Sequence, residues 1–166
     1  MKVDIITGER DSGKSTRFLE LLDGCPTDDI AICSQKIMEC GTTVGYNLII
    51  KPEDREYEFI KLSASSSCDD ADVYHQGHYV FLKDTFNIVE KHITNHPRPS
   101  RIWIDEIGKL ELQGKGFFNV LSYIASQDIN MVIVVRTRYK EDVKQMLSSL
   151  SASYNHTINF EECQPK

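Results

Sequence analysis

Apolar positions along the chain come in short runs whose period changes several times. Lys2-Val3-Asp4-Ile5-Ile6-Thr7 reads as a short apolar strand, and Arg17-Phe18-Leu19-Glu20-Leu21-Leu22 as a helix with Phe18, Leu21 and Leu22 on one face. That helix is expected to stop near Asp23-Gly24, with Gly24 as a left-handed cap and Pro26 just beyond. Ile30-Ala31-Ile32-Cys33-Ser34 is a buried strand, and strand–helix–strand starts a parallel sheet. The period then drops to two. Val44, Tyr46, Leu48 and Ile50 alternate, Glu56 to Leu62 alternates as well, and Pro52-Glu53-Asp54-Arg55 between them is a turn signal. This predicts an antiparallel hairpin inserted into the frame, with one face wet, placed to cover a ligand, to meet a partner or to do neither.

The second half returns to strand and helix. Ser63 to Asp70 is a polar, low-complexity loop, and Tyr79-Val80-Phe81-Leu82 a strand. Asp84 is the expected N-cap of a helix whose face is Phe86, Val89 and Ile93, closed by Pro97 and Pro99. Arg101-Ile102-Trp103-Ile104-Asp105-Glu106 is a strand that finishes in two carboxylates. A helix over Gly116 to Ser126 turns Phe117, Leu121 and Ile124 inward, and Met131 to Val135 is a β-branched run typical of a strand buried on both faces. Tyr139 to Leu150 is a helix carrying Val143, Met146, Leu147 and Leu150, and His156 to Phe160 a last strand. No repeat or long linker divides the chain, so residues 1–166 read as one α/β domain.

Between the first strand and its helix lies Gly8-Glu9-Arg10-Asp11-Ser12-Gly13-Lys14-Ser15-Thr16, a G-x-x-x-x-G-K-S run in the context that a P-loop requires. Gly8 and Gly13 allow a tight turn with no Cβ in the way of a phosphate. The loop amides form an anion nest, and the helix opening at Lys14 adds its dipole. Lys14 is placed to reach the β- and γ-phosphates, and the Ser15 hydroxyl to ligate Mg²⁺. All nine residues, Gly8 to Thr16, are the expected nucleotide-binding set.

The two carboxylates complete this chemistry. A strand end at the carboxyl edge of a parallel sheet is where α/β ligands bind. Asp105 fits the acid that holds Mg²⁺ alongside Ser15. Neighbours on a strand face opposite ways, so Glu106 is free to orient or deprotonate an attacking water. A cation for the transition-state charge is left open among Arg10, Arg55, Lys109, Arg136 and Arg138, or one supplied by a partner.

Composition narrows the classes. Hydrophobic residues at 40% and a net charge of -6 fit a compact core with no basic surface for nucleic acid. Cys25, Cys33, Cys40, Cys68 and Cys163 form no C-x-x-C pair and are odd in number, which suits a reducing cytoplasm. Strand and P-loop begin directly after Met1, leaving no room for a signal peptide, and no apolar run approaches a membrane span. Cys68, Asp70, His75 and His78 contain zinc-type ligands, but their spacing matches no familiar site. His92 and His96 lack the Glu of a zinc-protease motif and read as a solvated helix face.

Asp105-Glu106-Ile107-Gly108-Lys109-Leu110-Glu111-Leu112 resembles the D-E-I-G-K-[ML]-E-L signature of the THEP1-type nucleoside-triphosphatases, and Gly45-Tyr46-Asn47 is similar to their G-[FY]-[DN] stretch. The resemblance implies a three-layer, RecA-like P-loop fold, with a mostly parallel sheet and an additional strand associated with the catalytic Glu. It implies slow, Mg²⁺-dependent hydrolysis of ATP, GTP and other NTPs to NDP and phosphate. Lys14 and Ser15 carry over as phosphate and metal ligands, Asp105 as the metal-site acid, Glu106 as the water activator, and Lys109 without a role. Two stretches depart from the pattern: the charged loop interior Glu9-Arg10-Asp11-Ser12, and Val135-Arg136-Thr137-Arg138 in place of G-T-[IV]-x. Two other classes share the P-loop and the size. One is a kinase that passes the γ-phosphate to a small molecule or nucleotide, although the acidic, Ser-rich 63–72 segment is a poor phosphate clamp. The other is a nucleotide-sensing module without turnover.

Overall fold

The computed structural model of the protein describes residues 1–9, 11–24, 26, 28–63 and 69–163, without the side chains of Asp70 and Cys163. In chain order the elements are β1 (Lys2–Gly8), α1 (Lys14–Leu22), β2 (Ile30–Glu39), β3 (Thr42–Lys51), β4 (Arg55–Leu62), β5 (Val73–Gln76), β6 (Tyr79–Leu82), α2 (Lys83–Asn95), β7 (Arg101–Ile107), α3 (Lys109–Leu112), α4 (Phe118–Ser126), β8 (Asn130–Arg136), α5 (Lys140–Ala152) and β9 (Asn159–Cys163). The strands form one sheet in the order β5-β6-β4-β3-β2-β7-β8-β1-β9. From β2 to β9 neighbours run parallel, and from β2 to β5 antiparallel. β2 belongs to both halves. Ile30–Ile32 pair with Ile102–Ile104 of β7, while Ala31 to Glu39 pair with β3.

Alternation along the central strands divides the core between two faces. On one, Ile5, Ile104 and Ile133 pack with Val89 of α2, Leu121 of α4 and Val143 of α5. On the other, Ile6, Trp103, Val132 and Val134 pack with Phe18 of α1. Every residue from Met131 to Val135 is buried, as the β-branched run predicts. Phe18 meets Trp103 edge-on with ring centroids 5.7 Å apart, and the Trp103 indole N–H donates to Asp29 Oδ2 at 2.8 Å. This contact sets the position of α1, and with it the loop that precedes the helix.

The inserted hairpin is present as β3 and β4, but it is built into the main sheet rather than set upon it. β2 runs five residues past the expected stop at Ser34, because its second half has β3 as a partner. Gly45 permits this meander to close up. A Cβ there would sit 2.5 Å from the Ile60 carbonyl oxygen.

Local details differ from the expected ones. Gly24 is not left-handed; α1 ends with Asp23 still in right-handed helical conformation, its N–H bonded to the Leu19 carbonyl at 3.0 Å. Asp84 is not the N-cap of α2. β6 runs straight into the helix, so Leu82 caps it, and Asp84 faces the dipole from the first turn instead. The last strand starts at Asn159 rather than His156. β5 and α3, each four residues long, have no counterpart in the sequence reading. The expected loop from Ser63 to Asp70 lies partly outside the described residues, at 64–68. No helix among the described residues is long and apolar enough to cross a membrane.

Since Phe18 is fully buried against Trp103, Phe18→Ala is expected to lower stability by about 3–5 kcal/mol. Denaturant titration should show this as a lower midpoint at unchanged slope.

Candidate active site

The carboxyl ends of β1, β7 and β8 lie along one edge of the sheet. Gly8, where β1 ends, is in register with Arg136, where β8 ends, and Val135 is in register with Ile107 of β7. The loop after β1, the two acids and Arg136 therefore meet around a cleft of about 880 Å³. Asp11, Ser12, Gly13, Lys14, Ser15 and Thr16 line it from the loop; Gly8 and Glu9 are not part of the lining, and Arg10 lies outside the described residues. Tyr46 and Tyr79, packed edge-on at 6.1 Å, stand across from the loop on the antiparallel half.

The loop geometry follows from its residues. Gly13 caps α1 with φ +84°, a left-handed conformation that glycine adopts without strain. Ser12 N–H bonds back to the Glu9 carbonyl at 3.3 Å, and the Lys14 ammonium folds over the loop to donate to that same carbonyl. The Asp11 carboxylate, whose charge would repel phosphate, is mostly exposed and lies 3.7 Å from the Lys36 ammonium of β2, which lines the same cleft.

Asp105 is the buried acid. Its Oδ1 accepts from the Ser15 hydroxyl at 3.3 Å and its Oδ2 from the Ser34 N–H at 3.4 Å. Burial first, and the neighbouring Glu106 charge second, push its pKa up to about 7 against those two hydrogen bonds. Glu106 does not follow the strand alternation assumed from sequence. The β7–β8 register shifts between Ile104 and Ile107, and Glu106 sits at φ +68°. This bulge brings both acids to the same cleft, at a conformational cost of roughly 1–2 kcal/mol. The Glu106 carboxylate is half exposed and is held by the Arg136 guanidinium.

Glu111 was missed as a site residue. Its carboxylate is buried and accepts from the Gly108 N–H at 2.9 Å and the Phe117 N–H at 3.0 Å. It clips the turn after Glu106 to the aromatic core, where Phe117 meets Phe86 at 4.8 Å. Burial pushes its pKa up to about 7 despite the two amides. The available signal was an acid bracketed by two apolar residues, Leu110 and Leu112.

The sheet also sorts the candidate cations. Arg55 begins β4 opposite Ile50, beside the start of β2, and so sits at the far edge from the cleft. Lys109, Arg136 and Arg138 line the cleft, and the Arg138 guanidinium lies over the Tyr139 ring at 4.6 Å. Of the zinc-type set, Cys68 and the Asp70 side chain lie outside what the structure describes. Among the described residues no group of three or more His, Cys, Asp or Glu is gathered as a metal site. His92 of α2 and His96, just past its end, have ring centroids 5.9 Å apart, with His92 beside Glu53.

A family model described as NTPase matches residues 4–162. The chain belongs to the NTPase family. Its fold is similar to the crystal structure of THEP1 from the hyperthermophile Aquifex aeolicus, at 21% identity and a TM-score of 0.65 over 99% of this chain and 91% of that one. It is also similar to the solution structure of a human cancer-related nucleoside triphosphatase, at 15% identity and a TM-score of 0.66 over 98% and 88%. No curated protein matches the chain. The fold is thus the three-layer α/β P-loop fold expected from the resemblance, with β8 as the strand inserted between the P-loop strand and the acid strand of this NTPase.

The buried acids give the ligand-free protein a pH signature. Both have folded pKa values near 7, raised above their ordinary 3.8 and 4.5. Between those limits the folded state binds more protons than the unfolded one, so their contribution is fully present at low pH and is lost as pH rises toward 7. Asp105→Asn removes one buried charge. Its ligand-free form is expected to be more stable than the parent at pH 8, by on the order of 1–3 kcal/mol, with a shallower loss of stability from pH 4 to 7 in thermal melts.

Proposed function

We propose that this NTPase hydrolyses nucleoside triphosphates to diphosphate and phosphate with Mg²⁺, in the cleft between the P-loop and the end of β7. The observation that carries the reading is the 3.3 Å approach of the Ser15 hydroxyl to the Asp105 carboxylate, which joins the P-loop to the acid strand. The donor chemistry fits Mg²⁺. A hydroxyl and a carboxylate are hard oxygen ligands, and Mg²⁺ commonly takes only one or two protein oxygens and leaves the rest of its shell to water and phosphate. Ser15 and Asp105 are therefore assigned to hold the ion. When bound, it supplies charge neutralisation for the β- and γ-phosphate oxygens.

The protein's own groups do the rest. The loop amides and the N-terminus of α1 bind the phosphate tail. The Lys14 ammonium exchanges the Glu9 carbonyl for phosphate oxygens. Glu106, re-aimed by the bulge, orients the attacking water and accepts its proton. The family match supports the same reaction class, and the human neighbour is itself named a nucleoside triphosphatase.

The test is phosphate release from a panel of NTPs, with and without Mg²⁺, alongside a screen of acceptors for phosphate that goes anywhere but water. Lys14→Ala should abolish turnover through lost binding. Glu106→Gln should slow it by about 100-fold or more while still binding nucleotide. Normal hydrolysis by Glu106→Gln would remove Glu106 from its role, and transfer to an acceptor would make the protein a kinase.

A further inference from the structure

We propose that Arg136 is a catalytic residue of this cleft: its guanidinium binds the γ-phosphate while holding the Glu106 carboxylate, and it stabilises the charge that develops during transfer. This rests on the hydrolase reading above and supplies the cation which that reading lacks. Position is the first argument. Arg136 ends β8, directly in register with Gly8, so its backbone flanks the first residue of the P-loop. Its side chain reaches the Glu106 carboxylate at the end of β7 and lines the same cleft as Lys14, Ser15 and Asp105. The preceding strand is buried from Met131 to Val135, so the side chain is carried by a rigid element.

Chemistry is the second argument. A guanidinium has five N–H donors in a fixed fork. Glu106 engages one NH2 group, and at 35% exposure the side chain keeps donors open to the cleft. An ammonium has no such second edge. Among the other cations Arg55 is at the far edge, Arg138 lies over a ring and Lys36 faces Asp11.

In the step, a water oxygen attacks the γ-phosphorus. The bond from that phosphorus to the β–γ bridging oxygen breaks, and its electron pair leaves with the diphosphate. The water proton passes to Glu106 and then to solvent, so that NTP and water give NDP, phosphate and a proton with no redox change. Arg136 contributes hydrogen bonds only, to equatorial oxygens whose charge grows in the transition state and to the acid that takes the proton.

The experiment compares the parent protein with Arg136→Ala, Arg136→Gln and Arg136→Lys. It measures single-turnover phosphate release and the affinities for NDP alone and for NDP with tetrafluoroaluminate, a mimic of the transferring phosphoryl group. Arg136→Ala should slow release by roughly 100-fold or more, change NDP affinity by less than about threefold and weaken the aluminate complex in step with the rate. Arg136→Lys should recover little, because the fork is lost, and added guanidinium should restore part of the Arg136→Ala rate. Arg136→Gln, close in shape, carries the same expectation should the alanine variant fold poorly.

Unchanged or faster release would overturn the assignment; faster release would mean that Arg136 only restrains Glu106. Equal weakening of NDP and NDP–aluminate would overturn it too, as a purely binding role. A parent that binds Mg-NTP and releases no phosphate overturns the hydrolase reading along with this one, whereas a hydrolysing parent matched by Arg136→Ala overturns this one alone.

Discussion

A carboxylate kept out of water needs a cation or a proton. Asp105 has a serine hydroxyl, a backbone amide and the negative charge of Glu106 beside it. The fold holds it there through β7, whose Trp103 is packed against α1 on one face while Ile102 and Ile104 enter the core on the other. Local electrostatics in the ligand-free protein therefore run against the packing that surrounds them. In the metal role proposed for Asp105, a divalent cation would invert this, since it would favour the ionised acid that burial disfavours.

The length of β2 makes this arrangement possible. Paired only with β7, it would serve the parallel half and stop near Ser34. Because β3 takes over its pairing, it continues to Glu39 and carries Lys36 to the cleft edge, beyond Ser34. The Ser34 N–H reaches Asp105, and the Lys36 ammonium lies 3.7 Å from the Asp11 carboxylate at the cleft. The charged P-loop interior, at odds with phosphate binding when read alone, is thereby partly neutralised by the inserted antiparallel half. That half also raises the wall of Tyr46 and Tyr79 opposite the loop. Its structural contribution at the site is visible even without a partner.

Much of this was legible in the sequence, and the parts that were not share a cause. The P-loop, the acid pair, the buried β8 and the hairpin strands announce themselves through local period and motif. Asp84 was misassigned because rules for helix starts assume a loop, whereas β6 leads into α2 with no residue between them, and Gly24 because α1 ends on Asp23 in right-handed helical conformation. Glu106 was placed by strand alternation, and a bulge is one extra residue that no alternation reveals. Selecting among the arginines required sheet order. Arg55 and Arg136 look alike in sequence, but β4 starts at one edge of the sheet and β8 ends at the other.

The octamer from Asp105 to Leu112 is better described as one mechanical unit than as a row of ligands. Its first acid is buried, its second is held left-handed, and the turn that follows would have little to fix it if those were its only anchors. Glu111 supplies the anchor, by taking the Gly108 and Phe117 amides into one buried carboxylate. A left-handed glutamate persists only where its surroundings over-determine it. Here the β8 pairing on one side, the Glu111 clip on the other and the Arg136 guanidinium at the tip do so together. The strain at Glu106 is thus balanced by groups from β8 and from the turn after β7 that line the same cleft.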